Sequence, residues 1–366
     1  MSTEILADLS EQVRSAAADN RPILIRGGNT KAFYGNPFVP NGVASVMLDM
    51  RCLKGIVNYQ PSELVVTALA GTPLQEVIDT LDASGQMLAF EPPGFGSGAT
   101  VGGCVSAGLS GPGRLVAGPL KDFVLGAHLL DAQGRILKFG GEVMKNVAGY
   151  DVSRLLAGAM GSFGALTQAS LKVAPKPFET STLEWELDEA ESLERCHSWR
   201  AYPLSVSATA WESQGSTGRL RVRLAGAAAA LRSARQKLGG VALDQEQAQS
   251  YWGALREQQL PFFNTEMLWR VAVAPGTAPL GLGPTLIEWG GGQRWIAASL
   301  DAAVVREAAV RAGGHATQFR ARSSSAQPQA GVFHPVAPGL AAITQRLKNE
   351  FDPQGLFNPG RLIPKA

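Results

Sequence analysis

The sequence predicts an α+β protein of two domains, and three observations carry that expectation. The first is a change of composition at Pro177: all seven tryptophans (185, 199, 211, 252, 269, 289 and 295) lie between Pro177 and Phe333. The second is the order of patterned segments after that point: strand-like TLEWEL, a helix through Trp199, strand-like SVSATAW and GRLRVRLAG, then an Ala- and Arg-rich helix ending at Gly239. Strands that follow one another and are interleaved with helices favour a mixed or largely antiparallel sheet. The third is the stretch Pro92 to Gly118, which holds nine glycines between strongly patterned neighbours. Glycine permits unusual dihedrals and close main-chain approach, so this stretch reads as backbone shaped to lie against a ligand, with a surface Ω-loop as the alternative.

Whole-chain numbers narrow the function classes. At 366 residues, 45% hydrophobic and 17% charged, the chain is a globular protein able to bury a sizeable core. A net charge of +2 from 33 basic and 31 acidic residues, without a long basic run, argues against a nucleic-acid partner. The small, apolar run Leu155 to Leu166 is too short and glycine-broken to span a bilayer. The N-terminal MSTEILADLSEQ is acidic where a secretory signal is basic, so a cytoplasmic location is expected, with any membrane association peripheral or through a partner. Cys52, Cys104 and Cys196 form no CxxC pair, and the four histidines (128, 197, 315 and 334) have no metal-binding spacing, so no metal site is expected.

Taken in order, Ile5, Leu9, Val13 and Ala16 mark a helix over Glu4 to Ala18, broken by Asn20 and Pro22. The strand Pro22 to Arg26 then runs into RGGNTKAF, which offers backbone N–H groups, a hydroxyl and a cation suited to phosphate, although a plain turn reads the same way. Glu63 to Ala70 is a buried strand. Thr72 and Gln75 fit a capping box with Pro73 at the first helical position, and Leu74, Val77, Ile78 and Leu81 supply the apolar face that Gly85 closes. Beyond the glycine stretch, Phe123 to Leu130 and Arg135 to Phe139 form a hairpin turning at Gly134, with His128 a packed or edge residue of the first strand. Asp151 is expected to cap a short helix through Leu156, and Leu166 to Val173 reads as a strand before the prolines at 175 and 177.

The later part continues with a helix near Trp252, a strand at Leu268 to Ala274, a hairpin at Thr285 to Ala298 turning on Gly290 to Gly292, and a helix from Ala302 to Ala312. A low-complexity loop, ARSSSAQPQAG, occupies 321–331. A last helix carries Leu340, Ile343 and Leu347, and FDPQGLFNPGR brings Phe351, Leu356 and Phe357 to be buried against the first domain. Core packing is the common use of the tryptophans, with an exposed partner face the alternative. The expected domains are 1–177, 178–335 and a returning segment 336–366.

RGGNTK, PPGFGSGATVGGCVSAG, DFVLGAHLLDAQGRIL, KNVAGYDVSRLLAGAMGSFGALTQASLKVAP and FDPQGLFNPGR, in that order, resemble the flavoenzymes of the vanillyl-alcohol oxidase type. Over its whole length the chain is similar to the family of FAD-binding E subunits of bacterial glycolate oxidase. The resemblance implies a PCMH-type FAD-binding domain of two α+β subdomains and a mixed or antiparallel α+β cap domain. Gly27, Gly28, Asn29, Thr30 and Lys31 are implied to take the FAD pyrophosphate with Gly102, Gly103 and Ser106. Gly161, Gly164, Leu166 and Thr167 are implied along the adenosine half. Lys145, Asn146, Gly149, Tyr150 and Asp151 are implied near the ribityl and ring end, and Asn358 and Arg361 near the isoalloxazine. Arg26, Pro92, Thr100, Val101 and Gly108 complete the implied cofactor-binding set. Lys145 or Arg361 is expected to stabilise negative charge on the reduced ring, and the lack of histidine in Gly27 to Gly35 implies non-covalent FAD.

The function so implied is a subunit of a membrane-associated complex that oxidises glycolate to glyoxylate and passes electrons towards a quinone. Its partners are implied to be a sister FAD-binding subunit and an iron-sulfur subunit. An assembly or electron-relay subunit without a substrate site, and a stand-alone FAD-dependent alcohol or 2-hydroxy-acid oxidase, are the alternatives. The HxGDGNxH and EHGxG motifs typical of flavin hydroxy-acid dehydrogenases of this type are absent. Their nearest remnant, GGHATQFR, leaves His315 and Arg320 as candidates for a base and a carboxylate-binding arginine, with a structural role for His315 as the alternative.

Overall fold

The computed structural model describes residues 2–38, 43–141, 151–322, 328 and 331–362. Contacts divide the chain into two compact units, one of residues 1–109, 119–175 and 335–366, the other of 110–118 and 176–334. The glycine stretch is thereby shared, because Ser110–Gly118 packs with the second unit.

In the first unit, a parallel pair of strands, Ile23–Arg26 and Val46–Asp49, stands beside a five-stranded antiparallel sheet. The order in that sheet is Ile56–Gln60, Val65–Leu69, Ala165–Lys172, Val124–Leu130 and Ile136–Gly140. Val65–Leu69 is an interior strand with its first four residues all buried, which accounts for its unbroken apolar and β-branched sequence. The helix Ser2–Ala18 turns Leu9, Val13 and Ala16 inward at helical spacing, against Ile23, Leu48, Leu130, Leu356 and Phe357. Leu356 and Phe357 are 2% and 0% exposed, so the returning segment is part of this core.

Two local expectations change. The helix after Thr72 begins at Leu74, but Thr72 does not cap it: its hydroxyl donates to Gly55 O (3.1 Å) and accepts from Gly55 N (2.9 Å), fastening a neighbouring loop instead. Asp151 precedes the helix Val152–Leu156 without capping it, since its carboxylate accepts from Ser153 Oγ and pairs with Arg154. The helix Pro338–Phe351 buries none of its residues, and Leu340 and Ile343 are 54% and 56% exposed.

The second unit is built on an eight-stranded antiparallel sheet. Its order is Val241–Ala242, Glu179–Leu187, Thr217–Gly226, Val206–Gln214, Thr285–Glu288, Gln293–Ile296, Met267–Ala272 and His315–Ala321. Helices Glu189–Trp199 and Ala228–Leu238 pack Leu193, Leu231 and Leu238 with Trp211, Leu220 and Val222 from the sheet. Trp211, Trp252, Trp269, Trp289 and Trp295 are all buried, and Trp185 and Trp199 lie partly buried against the core. The tryptophans are thus interior residues, where truncation of a fully buried one such as Trp269 costs about 3–5 kcal/mol.

Candidate functional site

The strand Ile23–Arg26 ends in a loop whose glycines have no room for side chains. A Cβ on Gly28 would stand 1.4 Å from Gly98 O, and one on Gly27 would stand 2.5 Å from Thr100 Oγ1. Opposite, a Cβ on Gly102 would meet Ala70 Cβ at 2.8 Å. The main chain of 27–28 therefore lies flush on 98–100, and Thr100 holds its own loop by accepting from Gly103 N at 3.2 Å. Asn29 follows in the left-handed conformation (φ 60°), which reverses the chain. The N–H groups of Gly28, Asn29 and Thr30 have no acceptor within the protein among the described residues. Successive free N–H groups in such a turn form a concavity suited to an anion. Thr30 Oγ1 and Lys31 Nζ both donate to Gly94 O (2.7 and 3.1 Å), which ties this loop to the first part of the glycine stretch.

Behind these loops lies an open cleft, wholly within the first unit. Its walls include Arg26, Gly27, Gly28, Asn29, Thr30, Lys31, Thr100, Gly102, Gly103, Ser106, Gly161, Leu166, Asn358 and Arg361. Among the described residues, the lining has three cations, Arg26, Lys31 and Arg361, and no carboxylate. Asn358 joins two walls: its Oδ1 accepts from Ile25 N (2.9 Å) and its Nδ2 donates to Met160 O (2.8 Å). Three non-glycine residues of this lining, Asn29, Met160 and Asn358, have positive φ. Backbone strain of this kind costs on the order of 1–3 kcal/mol per residue and gathers at ligand sites.

Several expected residues lie elsewhere. Val101 is 0% exposed and belongs to the core, and Thr167 turns its hydroxyl to His128 O. Gly164 and Gly108 serve packing, their Cβ positions blocked by Leu130 O and by the Gly158 main chain. Pro92 and Asp151 are not on the cleft. Lys145, Asn146, Gly149 and Tyr150 lie outside the described residues. Arg361 reaches the cleft, but its guanidinium donates to the carbonyls of Lys31, Ala32, Tyr34 and Asn36. Burial lowers its pKa, and those bonds hold the 31–36 loop. Met50, Ala70 and Met160 also line the cleft, though nothing in their sequence neighbourhood singled them out. Cys104, buried behind the cleft, has its thiol pushed up to about 11 by desolvation, so it is not a nucleophile.

His315 and Arg320 do not converge. They belong to one strand, five residues apart, so their Cα atoms are separated by on the order of 16 Å at about 3.3 Å per residue. Arg320 is turned to Phe263 O (3.0 Å), and burial followed by Arg322 lowers its pKa. His315 is exposed by area yet crowded by protein. That crowding first, then Arg270, His334 and Arg114, lowers its pKa.

A family model described as an FAD binding domain matches residues 4–140. The glycolate oxidase subunit GlcE of Escherichia coli is 43% identical over 357 residues, covering 97% of this chain and 96% of that protein. The chain belongs to the GlcE family. The glycolate oxidase subunit GlcD of Bacillus subtilis is 31% identical over 164 residues, 44% of this chain and 34% of that protein. An alkyldihydroxyacetonephosphate synthase has the same fold at 14% identity, with a TM-score of 0.69 over 96% of this chain and 74% of its own. The 6-hydroxy-D-nicotine oxidase of Arthrobacter nicotinovorans does so at 16% identity, with a TM-score of 0.61 over 98% and 90%.

As a GlcE-family chain with an FAD binding domain, this protein is an FAD-dependent oxidoreductase. The glycine positions that admit no Cβ, the free N–H groups of 28–30 and the cationic lining fit the pyrophosphate of that cofactor. Among the described residues, no helix is long and apolar enough to cross a membrane.

Proposed function

We propose that this chain is the FAD-binding E subunit of a glycolate oxidase complex, oxidising glycolate to glyoxylate with electrons passed towards a quinone. A sister FAD-binding subunit and an iron-sulfur subunit are its partners, and any membrane association runs through them, at the inner face of the cytoplasmic membrane. FAD supplies the redox chemistry when bound. The protein's part is to hold it: Gly27 to Lys31 with Gly102, Gly103 and Ser106 at the pyrophosphate, Gly161 and Leu166 along the adenosine half, and Asn358 and Arg361 with Lys145, Asn146, Gly149 and Tyr150 towards the ring. We take 1–177 with 336–366 as the cofactor domain and 178–335 as the cap. Binding is non-covalent, since Gly27 to Gly35 offers no histidine for attachment.

The observation that carries this reading is the fit of Gly28 against Gly98, which leaves main-chain N–H groups facing a cleft without carboxylates. The test is to purify the full chain with and without the sister subunit and to record flavin absorbance before and after glycolate. Flavin that is released by acid and is bleached by glycolate in the assembled complex is the expected result. A chain that carries no flavin in either preparation overturns the cofactor assignment. Flavin that is bound yet never bleached points to the second reading, an electron-relay or assembly subunit, which the separation of His315 from Arg320 favours.

A further inference from the structure

The second unit gathers basic side chains around one indole. At its centre is Trp289, which ends the strand Thr285–Glu288 in the left-handed conformation (φ 55°) and is followed by Gly290 and Gly291, also at positive φ. The indole is fixed in place. Its Nε1 donates to Gly111 O (3.1 Å), and the next residue, Gly290, donates its N–H to Thr209 Oγ1 (2.7 Å). Two guanidiniums lie against this single ring, Arg114 with its Cζ 4.3 Å from the centroid and Arg270 with its Cζ 5.4 Å away. Those distances place the two charges within roughly 10 Å of each other, about one Debye length at 0.1 M salt.

Arg270 is aimed by buried groups. Its Nε donates to Gln293 Oε1 (2.7 Å), Gln293 donates from Nε2 to Glu288 Oε2 (2.9 Å), and Trp295 Nε1 donates to that same oxygen (2.6 Å). Gln293 and Glu288 are 2% and 5% exposed, so this is a rigid mount, with the one nearby carboxylate engaged by an amide and an indole. The mount holds the guanidinium through Nε alone. Among the described residues the two terminal nitrogens of Arg270 have no protein acceptor. His315 lies on the neighbouring strand, and its pKa is lowered by burial first and then by Arg270, His334 and Arg114. His334 is oriented by accepting from Ala316 N (3.3 Å) at Nδ1.

A fold that spends two buried polar side chains to orient one arginine, and then leaves its fork empty beside a second arginine and an imidazole, has the parts of an oxyanion receptor. We propose that Arg270, with Arg114 and His315, forms a binding site for a small carboxylate, Arg270 gripping both carboxylate oxygens. The choice of carboxylate over other oxyanions rests on the proposed function; the anion site itself stands on the geometry of the second unit. Arg320, the arginine nearest His315 in the sequence motif, has no part in it.

The experiment uses the full chain in its complex and follows binding of oxalate, glycolate and inorganic phosphate by titration calorimetry, with flavin content read by absorbance in each sample. Oxalate is expected to bind the unaltered protein. Arg270→Gln is expected to weaken it at least about tenfold, the loss of a charge-assisted pair, with flavin content unchanged. Arg114→Gln is expected to weaken it too, and Arg320→Gln to leave it alone. Arg270→Lys keeps the charge without the fork and guards against a folding artefact; it is expected to bind more weakly than the unaltered protein while melting at the same temperature. Absence of oxalate binding to the unaltered protein, or equal affinity in Arg270→Gln and Arg270→Lys, overturns the site. Tight phosphate binding that Arg270→Gln abolishes, with no oxalate binding, overturns the carboxylate class. Loss of flavin from the unaltered protein bears on the proposed function instead, so the two failures are separable.

Discussion

Asn358 bonds to Ile25 across 333 residues of sequence: its Oδ1 accepts the strand N–H at 2.9 Å. With Nδ2 on Met160 O, this one side chain satisfies main-chain groups on two walls of the cleft. Asn358→Leu has similar bulk and neither partner. It is expected to cost about 1–3 kcal/mol for each orphaned group and to loosen FAD retention, measured by urea unfolding and by flavin content after gel filtration. Full stability with full flavin would remove Asn358 from this role.

Gly28→Ala is expected to yield a folded protein without flavin. The added Cβ would stand 1.4 Å from Gly98 O, so the two loops must part, and the N–H groups of 28–30 move with them. Gly339→Ala is the control. Nothing lies within 4 Å of its Cβ position, and it sits in the helix Pro338–Phe351, where the change is expected to add about 0.5–1 kcal/mol. Circular dichroism and flavin absorbance report both outcomes.

The terminal motif turns on Asp352, which is 1% exposed and accepts from Leu356 N (2.9 Å), Phe357 N (2.8 Å) and the Lys348 ammonium. Lys348 also donates to Ser162 O and Phe357 O, and its burial, opposed by Asp352, lowers its pKa. Lys348→Met leaves a buried carboxylate without its cation and is expected to cost about 3–5 kcal/mol. Breaking the exposed pair Arg311–Glu307 at 3.9 Å by Arg311→Ala is expected to change stability by less than about 1 kcal/mol. Similar urea midpoints for the two variants would contradict the difference.

His315 and His334 both have pKa values below the ordinary 6.5, chiefly from desolvation, with Arg270 and Arg114 added for His315 and Arg306 for His334. A histidine lowered in the folded state binds its proton first in the unfolded state. Its stabilising contribution is therefore complete above pH 6.5 and falls away as the pH drops from there through the folded pKa. His315→Asn is expected to flatten the decline of melting temperature on that acid side, and an unchanged decline would show that other groups govern it.

The elements were legible where periodicity was strong: the buried strand Val65–Leu69, the helix Leu74–Asp82 and the hairpin through Gly134 all announce themselves in the order of apolar residues. The glycines of the cleft were legible as a motif, although their reason is a contact, Gly28 on Gly98, that no local pattern contains. Thr72 misled because its hydroxyl was taken by Gly55, a tertiary partner that local capping rules cannot foresee. The hold of Arg361 on the 31–36 loop was not legible either, since the carbonyls it bonds lie more than 300 residues earlier. Arg270 was hidden because it alternates with core residues on the strand Met267–Ala272, and only Gln293, 23 residues on, shows what it is held for.

Ile23 pairs in parallel with Phe357, and Ile23 N donates to Leu356 O, so the edge of the first strand is completed by residues more than 300 positions later. During synthesis, the second unit is wholly translated before that edge can close. Domains generally fold as units while the chain is being made, and the second unit has every strand of its sheet by residue 321. The first unit must instead wait with Ile23 and Leu48 uncovered until Leu356 and Phe357 arrive. A cleft whose walls are joined by Asn358, between Ile25 and Met160, is therefore completed only after the second unit has been translated.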